Sequence, residues 1–185
     1  MASVLVPLAE GCEELEAVTI IDLLRRAGIE VVTAGLEVGP VSCSRGVVLV
    51  PDTTLDAVLD REFDMVTLPG GGPGADRLSR DPRIRELLQR HAAAGRYITA
   101  ICAAPKALAG AGLLEGRRAT AYPGVLDAAP GGAELSEQSV EIDGRIVTSR
   151  GPGTAMDFAL TLIELLLGRE RRDAVEGPLQ RPAQA

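Results

Sequence analysis

Short apolar runs at positions 4–8, 30–34, 64–68 and 97–101 are separated by stretches whose apolar residues recur with a helical period. The runs are too short for helices and are rich in Val, Ile and Leu, so they predict buried strands. The clearest helical stretch covers 13–27. At 100° per residue, Ala17, Ile20, Leu23, Leu24 and Ala27 fall on one arc. Glu13 and Glu14 stand where the positive end of the dipole would be, Arg25 and Arg26 at the negative end, and Gly28 supplies the stop. Glu16 breaks the pattern, because it lies within the apolar arc. Either it sits at the margin and reaches solvent, or it is buried and needs a partner or a proton.

The later pattern continues in the same style. Segments 41–43 and 46–50 read as a hairpin ended by Pro51-Asp52. Asp81-Pro82 provides an N-cap and a first helical residue for a helix whose inner side carries Ile84, Leu87, Leu88 and His91, with His91 expected partly exposed and without chemistry. Segments 119–121 and 139–142 are strand candidates, Asp143-Gly144 is a hairpin turn, and 145–149 is the return strand. Thr154 with Asp157 resembles a capping box before a last large helix that stops at Gly168. Strands alternating with helices through short loops predict one α/β domain over 1–170, a doubly wound sandwich with a mostly parallel sheet. A short helix and a tail fill 171–185.

Two stretches carry candidate chemistry. In Ala100-Ile101-Cys102-Ala103-Ala104-Pro105, the cysteine falls at a strand-to-helix join, where open α/β folds place ligands. The amides and dipole of the next helix favour a thiolate, which predicts a lowered pKa. The opposing reading is an inert buried cysteine, a common fate of free thiols. Pro69-Gly70-Gly71-Gly72-Pro73-Gly74 follows a strand directly, and so Gly-rich a loop can bring bare N–H groups against an anion or simply turn. It lacks the residues of a phosphate loop or a dinucleotide fingerprint.

Composition narrows these options. Aromatics make up 2% of the chain, Trp is absent, and the net charge is −7. That is no footprint for nucleic acid, which needs basic charge and stacking surfaces. The three cysteines, Cys12, Cys43 and Cys102, have no metal-type spacing, and His91 is the sole histidine. No metal and no cofactor is expected, nor a membrane span, and a reducing cytoplasm is the expected location.

Several stretches together resemble the ThiJ/PfpI superfamily, class I glutamine amidotransferase-like, and most of all its Parkinson-associated protein-deglycase branch with the bacterial YajL-type proteins. They are Gly11-Cys12-Glu13-Glu14-Leu15-Glu16, Asp22-Leu23-Leu24-Arg25-Arg26-Ala27-Gly28-Ile29, Cys43-Ser44-Arg45, Leu68-Pro69-Gly70-Gly71, Ala100-Ile101-Cys102-Ala103-Ala104-Pro105 and Thr148-Ser149-Arg150-Gly151-Pro152-Gly153-Thr154. The resemblance implies a flavodoxin-like fold and a homodimer. It implies that Cys102 is an elbow nucleophile and that Glu16 lies against its sulfur as a carboxyl of raised pKa. The N–H groups of Gly71 and Ala103 would form an oxyanion site. Arg26 and the partner subunit's Arg45 would border the pocket, and Cys43 would lie near the dimer interface.

The chain departs from the superfamily's hydrolytic branches. Ala103 follows the cysteine, and Tyr122 stands where many relatives carry a histidine close to the thiol. No Cys-His dyad can be assembled, so peptide hydrolysis, which must protonate a poor leaving group, is disfavoured. Addition of a thiolate to an aldehyde expels nothing. The expected activity is a cofactor-independent, Cys102-dependent glyoxalase or deglycase acting on methylglyoxal and glyoxal or their early adducts. The alternative is an oxidative-stress sensor or redox-regulated chaperone working through a Cys102 sulfinic acid.

Overall fold

The computed structural model describes residues 1–127 and 132–181. The chain opens with strand β1 (Ser3–Leu8), helix α1 (Glu14–Arg26) and strand β2 (Glu30–Gly35). A two-stranded hairpin follows, β3 (Val41–Ser42) and β4 (Val48–Leu49), then β5 (Thr53–Thr54) and β6 (Met65–Leu68). Next come α2 (Gly72–Arg80), α3 (Pro82–Ala93), β7 (Tyr97–Ile101) and α4 (Pro105–Gly110). The last third holds β8 (Arg118–Ala119), β9 (Glu134–Leu135), β10 (Val140–Asp143), β11 (Ile146–Ser149), α5 (Ala155–Leu167) and α6 (Arg169–Glu176).

Seven strands form one sheet in the order β10-β11-β7-β6-β1-β2-β5. Every pairing is parallel except β10 with β11, the hairpin that Asp143-Gly144 turns. Helices α1, α5 and α6 pack together on one side, and α2, α3 and α4 on the other. All six residues of β1 are buried, as are all four of β6 and of β11, because helices cover both faces of a parallel sheet. The sheet changes winding direction between β1 and β6, so a crevice opens at their carboxyl ends. The expected doubly wound sandwich is the observed one. The C-terminal helix is stapled to α5, with Arg181 Nη2 2.6 Å from Asp157 and Nη1 2.9 Å from Glu176. The end of the expected tail, 182–185, lies outside the described residues.

Four local expectations change. Pro51-Asp52 ends the hairpin but does not end pairing: Asp52 accepts from Thr33 N–H at 2.9 Å and from its hydroxyl at 2.8 Å, which sets β5 beside β2. Gly72-Pro73-Gly74 is the first turn of a helix rather than part of a loop, with proline at a position where no amide partner is needed. His91 is buried, not partly exposed, with Nδ1 3.1 Å from the Leu87 carbonyl. Thr154 and Asp157 form no capping box. The Thr154 hydroxyl turns back to Gly151 and Ser149, and Asp157 is taken by Arg181.

Candidate active site

Cys102 directly follows β7, and its backbone holds φ +63°. A non-glycine residue in that region costs about 1 kcal/mol or more, so neighbours must hold it. Two backbone hydrogen bonds do: Cys102 N–H donates to the Ser149 carbonyl at 2.9 Å, and Tyr122 N–H donates to the Cys102 carbonyl at 2.8 Å. Ser149 is itself fixed by its hydroxyl, 2.7 Å from the Ser139 carbonyl and 2.7 Å from Thr154 Oγ1. The strained turn holds the side chain beside Gly70, which follows β6.

Glu16 arrives there from the first turn of α1. It is 0% exposed, and its neighbours on the apolar arc, Ala17, Ile20, Leu23, Leu24 and Ala27, are buried with it. Burial is therefore the correct reading of the misfit acid. Its Oε2 accepts the Gly70 N–H at 2.8 Å, whereas Oε1 is buried with no hydrogen-bond partner among the described residues. The Gly-rich loop explains the approach. A Cβ on Gly70 would stand 2.6 Å from both Cys102 Cβ and Glu16 Oε2, so only a glycine leaves room for thiol and carboxyl to meet. Gly71 has φ +85°, and a Cβ there would strike the Gly11 carbonyl oxygen at 2.4 Å and Glu13 N at 2.5 Å. The loop is thus a backbone cradle whose first amide is spent on Glu16.

The electrostatics correct one expectation. The Cys102 thiol is not lowered. Burial pushes it up to about 12, and the Glu16 carboxylate adds to the rise by its charge and as a hydrogen-bond partner. The backbone groups of Gly71 and Ala103 act on the sulfur in the opposite sense. The following helix, α4, is only six residues long and brings little dipole. Glu16 is raised as well, to about 7, by burial first, against hydrogen bonds from Gly70 and Cys102 and with a small push from Glu13. The two groups titrate as a pair. When Glu16 is protonated, the charge that opposes a thiolate disappears, and the carboxyl becomes a donor to the sulfur. A proton kept on Glu16 is the condition for a nucleophile at Cys102.

The remaining candidates separate by position. Cys102, Glu16, Gly71 and Ala103 come together. Tyr122 adjoins them through its backbone, but its ring is 53% exposed. Arg26 does not join them. It lies ten residues beyond Glu16 on the same helix, about 15 Å at 1.5 Å per residue, and pairs with Asp22 at 2.6 Å. Arg45 and Cys43 belong to the β3–β4 hairpin. The Arg45 side chain is exposed, while its N–H donates to Glu14 at 2.9 Å and 3.1 Å. Glu14, read from sequence only as a dipole-matched charge, also accepts the Ser44 hydroxyl at 3.0 Å and so ties the hairpin to the start of α1. Gly70 and Ser149 are the other residues the sequence reading left unassigned. The Gly-Gly pair after a strand was the available signal for the first, and a backbone carbonyl leaves none for the second. Among the described residues, no group of three or more His, Cys, Asp or Glu could hold a metal ion.

Comparison with known proteins identifies the family. The model of the DJ-1/PfpI family matches residues 2–165. The protein DJ-1 homolog B of Arabidopsis thaliana is 46% identical over 179 residues, covering 95% of this chain and 41% of that one. The chain thus spans less than half the length of that plant relative. The glutathione-independent glyoxalase DJR-1.2 of Caenorhabditis elegans is 38% identical over 178 residues, covering 96% of this chain and 95% of that one. The crystal structure of Drosophila melanogaster DJ-1beta superimposes with a TM-score of 0.94 at 41% identity, covering 98% of each chain.

Proposed function

Since the chain belongs to the DJ-1/PfpI family, we propose that it is a cofactor-independent, cysteine-dependent glyoxalase or deglycase acting on methylglyoxal and glyoxal or their early adducts. The observation that carries this reading is the buried Cys102–Glu16 pair set against the Gly71 and Ala103 amides. The thiolate adds to the aldehyde carbon, and the new alkoxide takes a proton to give a hemithioacetal. Glu16 then moves the proton of the former aldehyde carbon to the neighbouring carbonyl carbon, while the hemithioacetal hydroxyl proton passes to that carbonyl's oxygen, which leaves an α-hydroxy thioester. Water cleaves the thioester to lactate or glycolate and frees the thiol. The amides of Gly71 and Ala103 are suited to the oxyanions of addition and hydrolysis.

Access supports a small substrate. Cys102 is 8% exposed, and so enclosed a residue favours a two- or three-carbon aldehyde over a bulky substrate. The glyoxalase named among the relatives favours the same class. The test is lactate formation from methylglyoxal without glutathione. The parent protein is expected to form lactate and Cys102→Ala to form none. Equal rates would overturn the mechanism.

A second reading rests on Glu16 Oε1, buried with no partner among the described residues. A protonated oxygen there is a donor for a Cys102 sulfinate, which suits an oxidative-stress sensor or redox-regulated chaperone. Intact mass after mild peroxide, with the other cysteines blocked, should show two added oxygens on Cys102. Their absence sinks this reading.

Assembly and location complete the proposal. Leu15 and Val18 on α1 and Val47, Val48 and Val50 around β4 are exposed apolar side chains, which support a homodimer that covers them. Sedimentation should then give twice the chain mass. In that dimer, the partner's Arg45 would border the pocket. No helix among the described residues is long and apolar enough to cross a membrane, and the three free thiols fit the reducing cytoplasm.

A further inference from the structure

Cys12 and Cys43 take no part in the chemistry above, yet the fold brings them together. Cys12 lies in the turn before α1, and Cys43 follows β3, 31 residues away. Both are buried and free, and their sulfurs are 3.5 Å apart. Backbone hydrogen bonds flank the pair: Gly11 N–H donates to the Ser42 carbonyl and Ser44 N–H to the Cys12 carbonyl, each at 2.8 Å. The two segments are therefore held side by side whatever the thiols do. A disulfide has its sulfurs at about 2.05 Å, so closure needs about 1.5 Å of movement, within reach of the two side-chain torsions.

We propose that Cys12 and Cys43 form a dithiol–disulfide couple, a second redox site distinct from Cys102, oxidised by hydrogen peroxide. In the single subunit Cys43 is 8% exposed and Cys12 0%, so of the two it is Cys43 that a small peroxide reaches first, and Cys12 resolves. The Cys43 thiolate attacks a peroxide oxygen, the O–O bond breaks, and the departing hydroxide takes up the Cys43 proton as water. The Cys12 sulfur then attacks the Cys43 sulfenic acid. The S–S bond forms, the S–O bond breaks, and the hydroxide leaves as water with the Cys12 proton. Two thiols are oxidised by two electrons and one peroxide is reduced to two waters. An external thiol reverses the link by exchange.

Burial raises both thiols, Cys12 further, so the couple reacts slowly compared with an exposed thiolate. Its end product also differs from that of Cys102. The Cys102 sulfur faces a carboxyl, and oxidation there adds oxygen. Here the neighbour is a second sulfur, and oxidation ends in a cross-link. The link lies behind the amide cradle, since a Cβ on Gly74 would stand 2.6 Å from Cys12 N and one on Gly71 2.7 Å from the Cys12 carbonyl carbon.

The experiment uses Cys102→Ala and the parent protein in parallel, each exposed to hydrogen peroxide, quenched, denatured and alkylated. The expected result in Cys102→Ala is a mass lower by two hydrogens and neither remaining cysteine alkylated. A peptide pair joined through Cys12 and Cys43 should appear in both proteins, and dithiothreitol should remove it. The linked form should also melt higher than the reduced one, because a covalent tie restricts the unfolded chain. Cys43→Ser in the Cys102→Ala background should show neither the mass loss nor the melting shift. The proposal is overturned if Cys12 and Cys43 stay alkylatable at peroxide doses that fully oxidise Cys102 in the parent. It is equally overturned if each takes up oxygen independently, or if the parent links either of them to Cys102 instead.

Discussion

Two buried sulfur environments lie in this molecule, one at Cys102 and one at the Cys12–Cys43 pair, and both raise their thiols. Burial is the largest cause in each, so burial does not separate a nucleophile from an inert thiol. The surroundings do. Cys102 has a left-handed backbone, two backbone amides acting on its sulfur and a carboxyl whose own proton affinity is raised by burial. Cys12 has another thiol, Cys43, at 3.5 Å, and among the described residues no carboxyl is hydrogen-bonded to it. A cysteine becomes a nucleophile where something else can hold its proton while directed donors hold its charge.

Exchanging these features should separate the two sites, and the largest effect falls on the nucleophile itself. Cys102→Ala should lower lactate formation from methylglyoxal by about 1,000-fold or more, whereas Cys12→Ala should retain it within about 3-fold. Comparable losses in both would erase the distinction.

Removing the proton holder comes next. Glu16→Gln should lower the rate by about 100-fold, since general acid–base transfer is lost. It should also change stability with pH. Glu16 has a folded value near 7, against an ordinary value of 4.5. Between those values the folded protein keeps a proton that the unfolded chain has released, so stability falls as pH rises through this window. The Gln variant lacks that slope, and at pH 8 it should exceed the parent by about 3 kcal/mol. Parallel stability–pH curves in urea would refute the buried carboxyl.

The glycine that leaves room for thiol and carboxyl is the third target. Gly70→Ala places a methyl 2.6 Å from both partners, and a shift of either should cost about 2–4 kcal/mol of stability. Activity should fall with it. A variant as stable and active as the parent would show that the two groups need not meet. The smallest effect belongs to Arg26→Ala. Its pair with Asp22 is half exposed, worth no more than about 0.5 kcal/mol, and activity should stay within about 2-fold. A large loss would bring the far end of α1 into the site.

Much of this was legible along the chain. The period of α1 placed Glu16 among Ala17, Ile20 and Leu24, and an acid inside an apolar arc is visible without coordinates. The strand–Cys102–helix join and the Gly70-Gly71 pair were visible for the same reason: local punctuation follows local backbone need. The sign of the Cys102 shift was not legible. A strand-to-helix join favours a thiolate by itself, but the burial that reverses the sign, and the carboxylate that adds to it from 86 positions earlier, arise only through the β1–β6–β7 packing. The helix at Gly72 was hidden because glycine and proline read as a loop, whereas contact with the Cys12 backbone demands a glycine at position 74 in its first turn.

The sequence by itself determined the alternation of strands and helices, the aliphatic sheet and the chemical types available: one thiol at a turn, one misplaced acid, one string of glycines. Periodicity and turn chemistry act over a few residues, so they can be read in order. The tertiary structure alone decided which groups meet. It put Gly70 beside Cys102 and Glu16, gave one amide to the carboxyl and others to the sulfur, left Arg26 about 15 Å along its helix, and set Cys12 beside Cys43. Contacts between groups distant in the chain depend on sheet order and close packing, and these are properties of the whole fold rather than of any stretch of it.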